Sequence, residues 1–220
     1  MNERFAFDLD LAGRVPVAGA DEAGRGCLAG PLVAAAVCFD YAVMDDADFA
    51  ALEGLNDSKR VSRARRAVLY DEILRRAPQV VIVCCSTGTI DRVGLHRCNL
   101  GALARVVEGI APAPGISLVD GFPLPGCRRA HRAIVGGDGR SAAIAAASVV
   151  AKVTRDRLMR RLHLSHPQYG FDRHVGYATA GHREAIVEHG VCELHRLSFA
   201  SVAYRQLGLT FEGKGPAARG

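Results

Sequence analysis

No stretch of 18 or more apolar residues occurs in this 220-residue chain, so no membrane-spanning helix is expected. The N-terminus lacks the pattern of a signal peptide, because Glu3, Arg4, Asp8, Asp10 and Arg14 interrupt its apolar positions. Cysteine occurs seven times, at positions 27, 38, 84, 85, 98, 127 and 192, yet never as C-x-x-C and in an odd number. That count argues against a disulfide framework and predicts free, mostly buried thiols in a reducing, cytoplasmic setting. No internal repeat or linker divides the chain. A single domain over residues 1–211 is therefore expected, with a polar, Gly- and Pro-containing disordered tail over 212–220.

What is present begins with apolar content of 49%, enough for a sizeable core, and a net charge of +5. The positive charge is clustered. Lys59, Arg60, Arg63, Arg65 and Arg66 form one group, and Arg128, Arg129 and Arg132 a second. Lys152, Arg155, Arg157, Arg160 and Arg161 form a third. Any one cluster reads equally well as a solvated helix face. Three of them beside a set of carboxylates point to a polyanion.

The apolar pattern alternates strands with helices. Short apolar runs at 15–20 and 31–39 predict two strands joined by a Gly-rich turn. Residues 62–77 predict a helix capped by Ser62 and stopped by Pro78. The β-branched run 79–85 predicts a buried strand. A helix over 96–110, short strands at 116–119 and 130–135, and a long helix over 141–162 follow, with Ile144, Ala147, Ala151, Leu158 and Leu162 on one side of the long helix. Further helical segments are expected near 180–189 and 198–206. The fold class is α/β: a central mixed β-sheet flanked by helices, with a small helical C-terminal part.

The chemistry concentrates in Ala18 to Pro31, where an apolar run enters Asp21-Glu22 and then Gly24-Arg25-Gly26. Paired carboxylates at a strand end are costly without a cation between them. Two more acids sit at strand or turn ends, Asp120 in Leu-Val-Asp-Gly and Asp138 in Gly-Gly-Asp-Gly. Asp138 also reads as a helix cap. Four hard oxygen donors suit Mg²⁺ or Mn²⁺, and two such ions can clamp both oxygens of an in-line displacement. Neighbouring strand residues point to opposite faces, so Asp21 and Glu22 share a site only if the strand ends or bends there.

At this point the chain resembles the bacterial ribonuclease HII family. The resemblance rests on Ala-Gly-Ala-Asp-Glu-Ala-Gly-Arg-Gly at 18–26, Asn-Asp-Ser-Lys at 56–59, Leu-Val-Asp-Gly at 118–121 and Gly-Asp at 137–138. It continues through Ala-Ala-Ser-Val-Val-Ala-Lys-Val-Thr-Arg-Asp at 146–156, His-Pro-Gln-Tyr-Gly-Phe at 166–171, Gly-Tyr-Ala-Thr at 176–179 and His-Arg-Leu-Ser-Phe at 195–199. Eight motifs in the family order over roughly 15–205 make a specific signal.

The resemblance implies an RNase H-like fold and a monomeric two-metal endonuclease using Mg²⁺ or Mn²⁺. It implies cleavage of the RNA strand of RNA–DNA hybrids and of duplex DNA 5′ to a single ribonucleotide, leaving a 3′-hydroxyl and a 5′-phosphate. By position it makes Asp21, Glu22, Asp120 and Asp138 the catalytic metal ligands. Gly24, Arg25 and Gly26 match the loop that contacts the 2′-hydroxyl, which separates RNA from DNA. Tyr177 matches the residue packing on the nucleotide at the junction. Ser58, Lys59, Ser148 and Lys152 match backbone-phosphate contacts. The absence of an added domain ahead of Asp21 argues against the related type III enzyme. A DNA nuclease on the same fold and a non-catalytic hybrid-binding protein remain the alternatives.

The chain departs from the family at two places, with Gly136 and Val175 where lysines are common. Weaker binding with a different salt dependence is expected from the lost phosphate contacts. Six of the eight histidines fall between His163 and His195, in spacings that fit no standard zinc pattern. Asp156 reads as an ion-pair partner of its neighbours Arg155 and Arg157, His182 as a surface residue near Tyr177, and Tyr169 and Phe171 as packing residues.

Overall fold

The computed structural model describes residues 2–56, 61–199 and 204. Ser58, Lys59, the expected tail at 212–220 and most of the helix expected near 198–206 lie outside the described residues.

In chain order the elements are α1 (Glu3–Ala12), β1 (Pro16–Ala23), β2 (Leu32–Asp40), α2 (Asp46–Ala51), α3 (Arg63–Arg76), β3 (Gln79–Cys85), α4 (Thr87–Val93) and α5 (Leu95–Gly109). They continue with β4 (Ile116–Asp120), β5 (Arg132–Ile134), a 3₁₀ turn at Gly137–Gly139, α6 (Ala142–His163), α7 (Phe171–His174) and α8 (Ala180–His189). The expected elements stand within a few residues of their expected ends. Ser62 caps α3 by accepting from the Arg65 N–H. The helices α1, α2 and α4 were not expected. They are short, of ten residues or fewer, and each is started by a side-chain cap, from Asn2, Asp45 and Ser86 respectively.

The five strands run in the order β3-β2-β1-β4-β5. β1 is antiparallel to β2 and parallel to β4; β2–β3 is antiparallel and β4–β5 parallel. The sheet is therefore mixed, with the RNase H-like arrangement of helices on both faces. One face packs Val17, Val33, Val37, Phe39 and Leu118 against α6, with α1 and α3 outside it. The other packs Ala18, Ala20, Ala34, Ala36 and Cys38 against α5. β3 is a correction: it is an edge strand whose alternate residues reach solvent, with Ile82 37% exposed. A β-branched run alone does not separate a central strand from an edge strand.

α6 crosses the sheet at close range. Its first ten residues, Ala142 to Ala151, are buried all round. Gly19 makes this possible: a Cβ there would lie 2.1 Å from the Ala143 carbonyl carbon. Ser141 caps the helix, and the buried Asp8 carboxylate of α1 accepts from the Ala143 N–H at 3.0 Å and from the Tyr41 hydroxyl at 2.7 Å. An acid at that terminus complements the helix dipole. The C-terminal part builds smaller cores of its own, around Met159, Tyr169, Phe171 and Val175 and around Leu28, Ile186 and Tyr204. Tyr169 and Phe171 stack at 5.4 Å as packing residues.

Candidate active site

β1 is paired with β2 along its whole length, through Ala23 opposite Val33, but its pairing with β4 stops at Ala20 opposite Val119. Asp21 and Glu22 therefore lie where the parallel neighbour has run out, beside Asp120 at the end of β4. Asp21 and Glu22 lie where the strand ends, as expected: β1 stops at Ala23 and Gly24 follows at φ +97. They obey strand alternation and straddle the sheet. Asp21 bonds to Ser148 on α6, and Glu22 to Asn99 on α5. The open end of parallel strands is where α/β sheets place ligands.

Asp21 and Glu22 are both perturbed by their surroundings. Burial, then the charges of Glu22 and Asp120, hold the Asp21 carboxyl well above the usual carboxylate range. Burial raises Glu22 as well; Arg25, 3.3 Å away, opposes that shift, and Asp120 adds to it. Asp120 accepts a 2.6 Å hydrogen bond from the Gly137 N–H, which sets Asp138, the next residue, at the same strand end. Glu22, Arg25, His96, Asn99, Asp120 and Phe122 line a cleft of about 110 Å³. Arg25 contacts this set by reaching Glu22 from an exposed position. Clustered, partly buried oxygen donors fit a hard divalent cation. Asp21, Glu22, Asp120 and Asp138 are the side chains that would hold it.

Two buried arginines shape the loop after Glu22. Arg155 on α6 donates to the carbonyls of Pro31, Val175 and Ala29, and Arg196 donates to those of Gly30 and Arg25, all within 3.1 Å. Burial pushes the Arg196 guanidinium down to about 10. Leu28 N–H bonds to the Gly176 carbonyl, and Gly30 N–H to that of Leu194. Three distant motifs thus form one unit: Gly-Arg-Gly, Gly-Tyr and His-Arg. Gly176 stands at φ +86, with a Cβ position 2.4 Å from the Ala29 oxygen. Neither arginine's role was legible from the basic clusters; Arg155 belongs to the interior and not to a solvated face. Asn99 was also missed. Its signal was a lone amide among apolar positions of α5.

Tyr177 is 40% exposed. Its hydroxyl bonds to the buried Cys27 thiol, and Lys152 Nζ lies 5.1 Å from its ring centroid. Lys152 pairs with Asp156 at 2.8 Å, one turn along α6. Asp156 is therefore an ion-pair partner, but of Lys152 and not of its sequence neighbours. His182 corrects its surface reading. It is fully buried, its Nδ1 is 2.9 Å from the Tyr177 carbonyl, and its Nε2 is 3.2 Å from His195 Nε2. Gly24 holds φ +97, and Gly26 faces open space.

A family model described as ribonuclease HII matches residues 18–202. A ribonuclease HII of Xanthobacter autotrophicus is 50% identical over 197 residues, covering 90% of this chain and 76% of that protein. Among solved structures, the ribonuclease HII in a complex with PCNA from Archaeoglobus fulgidus aligns with a TM-score of 0.68 at 28% identity, covering 82% of this chain and 93% of that one. Bst-RNase HIII in complex with Mn²⁺ aligns with a TM-score of 0.65 at 22% identity, covering 89% and 72%. The latter likeness speaks for the fold.

Proposed function

The chain belongs to the ribonuclease HII family and is a ribonuclease H, and on that premise we propose that it cuts the RNA strand of RNA–DNA hybrids and duplex DNA 5′ to a single ribonucleotide. The products are a 3′-hydroxyl and a 5′-phosphate. The observation that carries this reading is the gathering of Asp21, Glu22 and Asp120 at the open end of β1 and β4, where the parallel pairing stops.

Asp21, Glu22, Asp120 and Asp138 hold the divalent ions, Mg²⁺ or Mn²⁺, two in the substrate complex. When bound, the ions supply an activated water and stabilise the leaving 3′-oxygen. The remaining work falls to side chains of this chain. Gly24, Arg25 and Gly26 let backbone approach the 2′-hydroxyl. Tyr177 packs on the nucleotide, its ring steadied by Lys152 and its hydroxyl by Cys27. Ser148, Lys152, Ser58 and Lys59 are the residues proposed to contact phosphates. Pairing of Arg25 with Glu22 without substrate keeps the arginine near where the sugar enters. The protein acts as a monomer in the cytoplasm; among the described residues no helix is long and apolar enough to cross a membrane.

Three labelled duplexes test this: all-DNA, DNA with one ribonucleotide, and an RNA–DNA hybrid, each with Mg²⁺, Mn²⁺ or EDTA. The expected result is metal-dependent cutting 5′ to the lone ribonucleotide and within the hybrid, with all-DNA intact. Cutting of all-DNA identifies a general nuclease, and binding without cutting in either metal identifies a hybrid binder; either result overturns the proposal.

A further inference from the structure

Away from the acidic cleft, three ligand-type side chains converge from separate segments. His166 stands before the Pro167–Tyr169 turn, and Cys192 and Glu193 lie in the loop after α8. One nitrogen, one sulfur and one oxygen from them all lie within 4.8 Å of one another. His166 Nε2 is already 3.1 Å from Glu193 Oε1. Ligand atoms around a tetrahedral zinc stand roughly 3.3–3.6 Å apart, given bonds of about 2.0–2.3 Å. The Cys192 Sγ lies 3.3 Å from His195 Nδ1, a contact that a metal ion would replace.

We propose that His166, Cys192 and Glu193 form a second metal site, taking a Zn²⁺-type cation with water in the fourth position. The donor set excludes the ions suited to the acidic cleft: a thiolate and an imidazole select zinc over Mg²⁺ or Mn²⁺. The backbone at the site is fixed beforehand. Thr87 Oγ1 donates to the Glu193 carbonyl at 2.9 Å, the Leu194 carbonyl accepts from Gly30, and the His195 N–H closes a turn onto Cys192. Binding transfers the thiol proton to solvent and forms the metal–sulfur bond, with no change of oxidation state. The site would clamp the turn before α7 to the loop that carries His195, the histidine bonded to His182 beneath Tyr177. Zinc spacing rules in sequence miss it because its ligands come from segments 26 residues apart.

Titration of the untagged full chain with Co²⁺ tests this without measuring activity, so its failure leaves the nuclease reading intact and the reverse also holds. The expected result is a thiolate-to-cobalt charge-transfer band saturating at one equivalent, displaced by Zn²⁺ and not by Mn²⁺, with a raised Tm in Zn²⁺. The band should vanish in Cys192→Ser and persist in the control Cys84→Ser, whose thiol is exposed elsewhere. In His166→Ala the affinity should fall by about 10- to 100-fold. Absence of the band, its survival in Cys192→Ser, or displacement by Mn²⁺ at the concentration of Zn²⁺ overturns the site.

Discussion

Gly24 and Arg155 are in such close contact that no side chain fits between them: a Cβ on Gly24 would lie 2.1 Å from Arg155 Nε. The same guanidinium ties Ala29 and Val175 together. The glycine thus serves the loop twice, through its φ of +97 and by admitting the arginine that holds the loop against the Tyr177 turn. Gly24→Ala should cost about 1–2 kcal/mol from backbone strain alone, and more once Arg155 is displaced. Urea unfolding and cleavage of single-ribonucleotide DNA should both suffer; a variant with native stability and rate refutes the contact.

Asp120→Asn should separate chemistry from folding. The amide oxygen can still accept from the Gly137 N–H, so the turn bearing Asp138 is kept. One negative charge leaves the neighbourhood of Asp21 and Glu22, so Tm without metal should rise. Turnover should fall at least about 100-fold, the upper range for disturbing groups that merely support a ligand, while duplex binding is retained. Near-normal turnover would remove Asp120 from the site.

Acid should weaken the C-terminal part through its buried histidines. His182 Nδ1 donates to the Tyr177 carbonyl, so its Nε2 accepts from His195 Nε2–H, and His195 Nδ1 accepts from the Cys192 N–H. Burial holds both imidazoles down to about 4, against an ordinary 6.5. The unfolded chain takes up these protons near pH 6.5 and the folded chain only near 4. Their contribution is complete above about 6.5 and is lost as pH falls towards 4. Tm measured from pH 8 to 4 should show that decline, and it should be shallower in His182→Asn. A slope unchanged by the substitution would assign the pH dependence elsewhere.

Val175 is the one non-glycine residue with positive φ among the described residues, at +45. A β-branched side chain is poorly suited to that conformation. Val175→Lys removes the branch but gives up the Val175 side chain buried against Met159 and Phe171, so its ammonium must snorkel out of that small core to reach solvent near Tyr177. Gly136→Lys has open space for its Cβ but must adopt φ +62, which costs about 1 kcal/mol. Binding of uncleaved duplex in Ca²⁺ should tighten in the double variant, and its log–log salt slope should steepen by about 1 for each lysine that meets a phosphate. Unchanged affinity and slope would show that neither position faces the backbone.

The strands and the longer helices could be read from the sequence because each is a local pattern, and the four candidate acids were singled out by residue type at strand and turn ends. The apolar runs at Val17–Ala20 and Leu32–Phe39 are strands in any context that buries them. Asp21-Glu22 beside Gly24-Arg25-Gly26 announces its chemistry through residue type alone. The helix α1 was harder to see, since its buried face includes Asp8, a charge whose place is explained only by the start of α6 some 135 residues later.

The sequence by itself determined which side chains are available, where strands and helices begin, and that carboxylates end two strands. Tertiary structure decided the rest, because it depends on contacts between segments far apart in the chain. It set Asp21 and Glu22 on opposite faces of one sheet end, where β4 stops pairing. It turned Arg155 from apparent surface charge into a buried strut beside Arg196, and His182 from a surface residue into a support for Tyr177. Burial in a low-dielectric interior is a property of the whole fold, and it converts these ordinary residue types into a strained set of acids on a rigid frame.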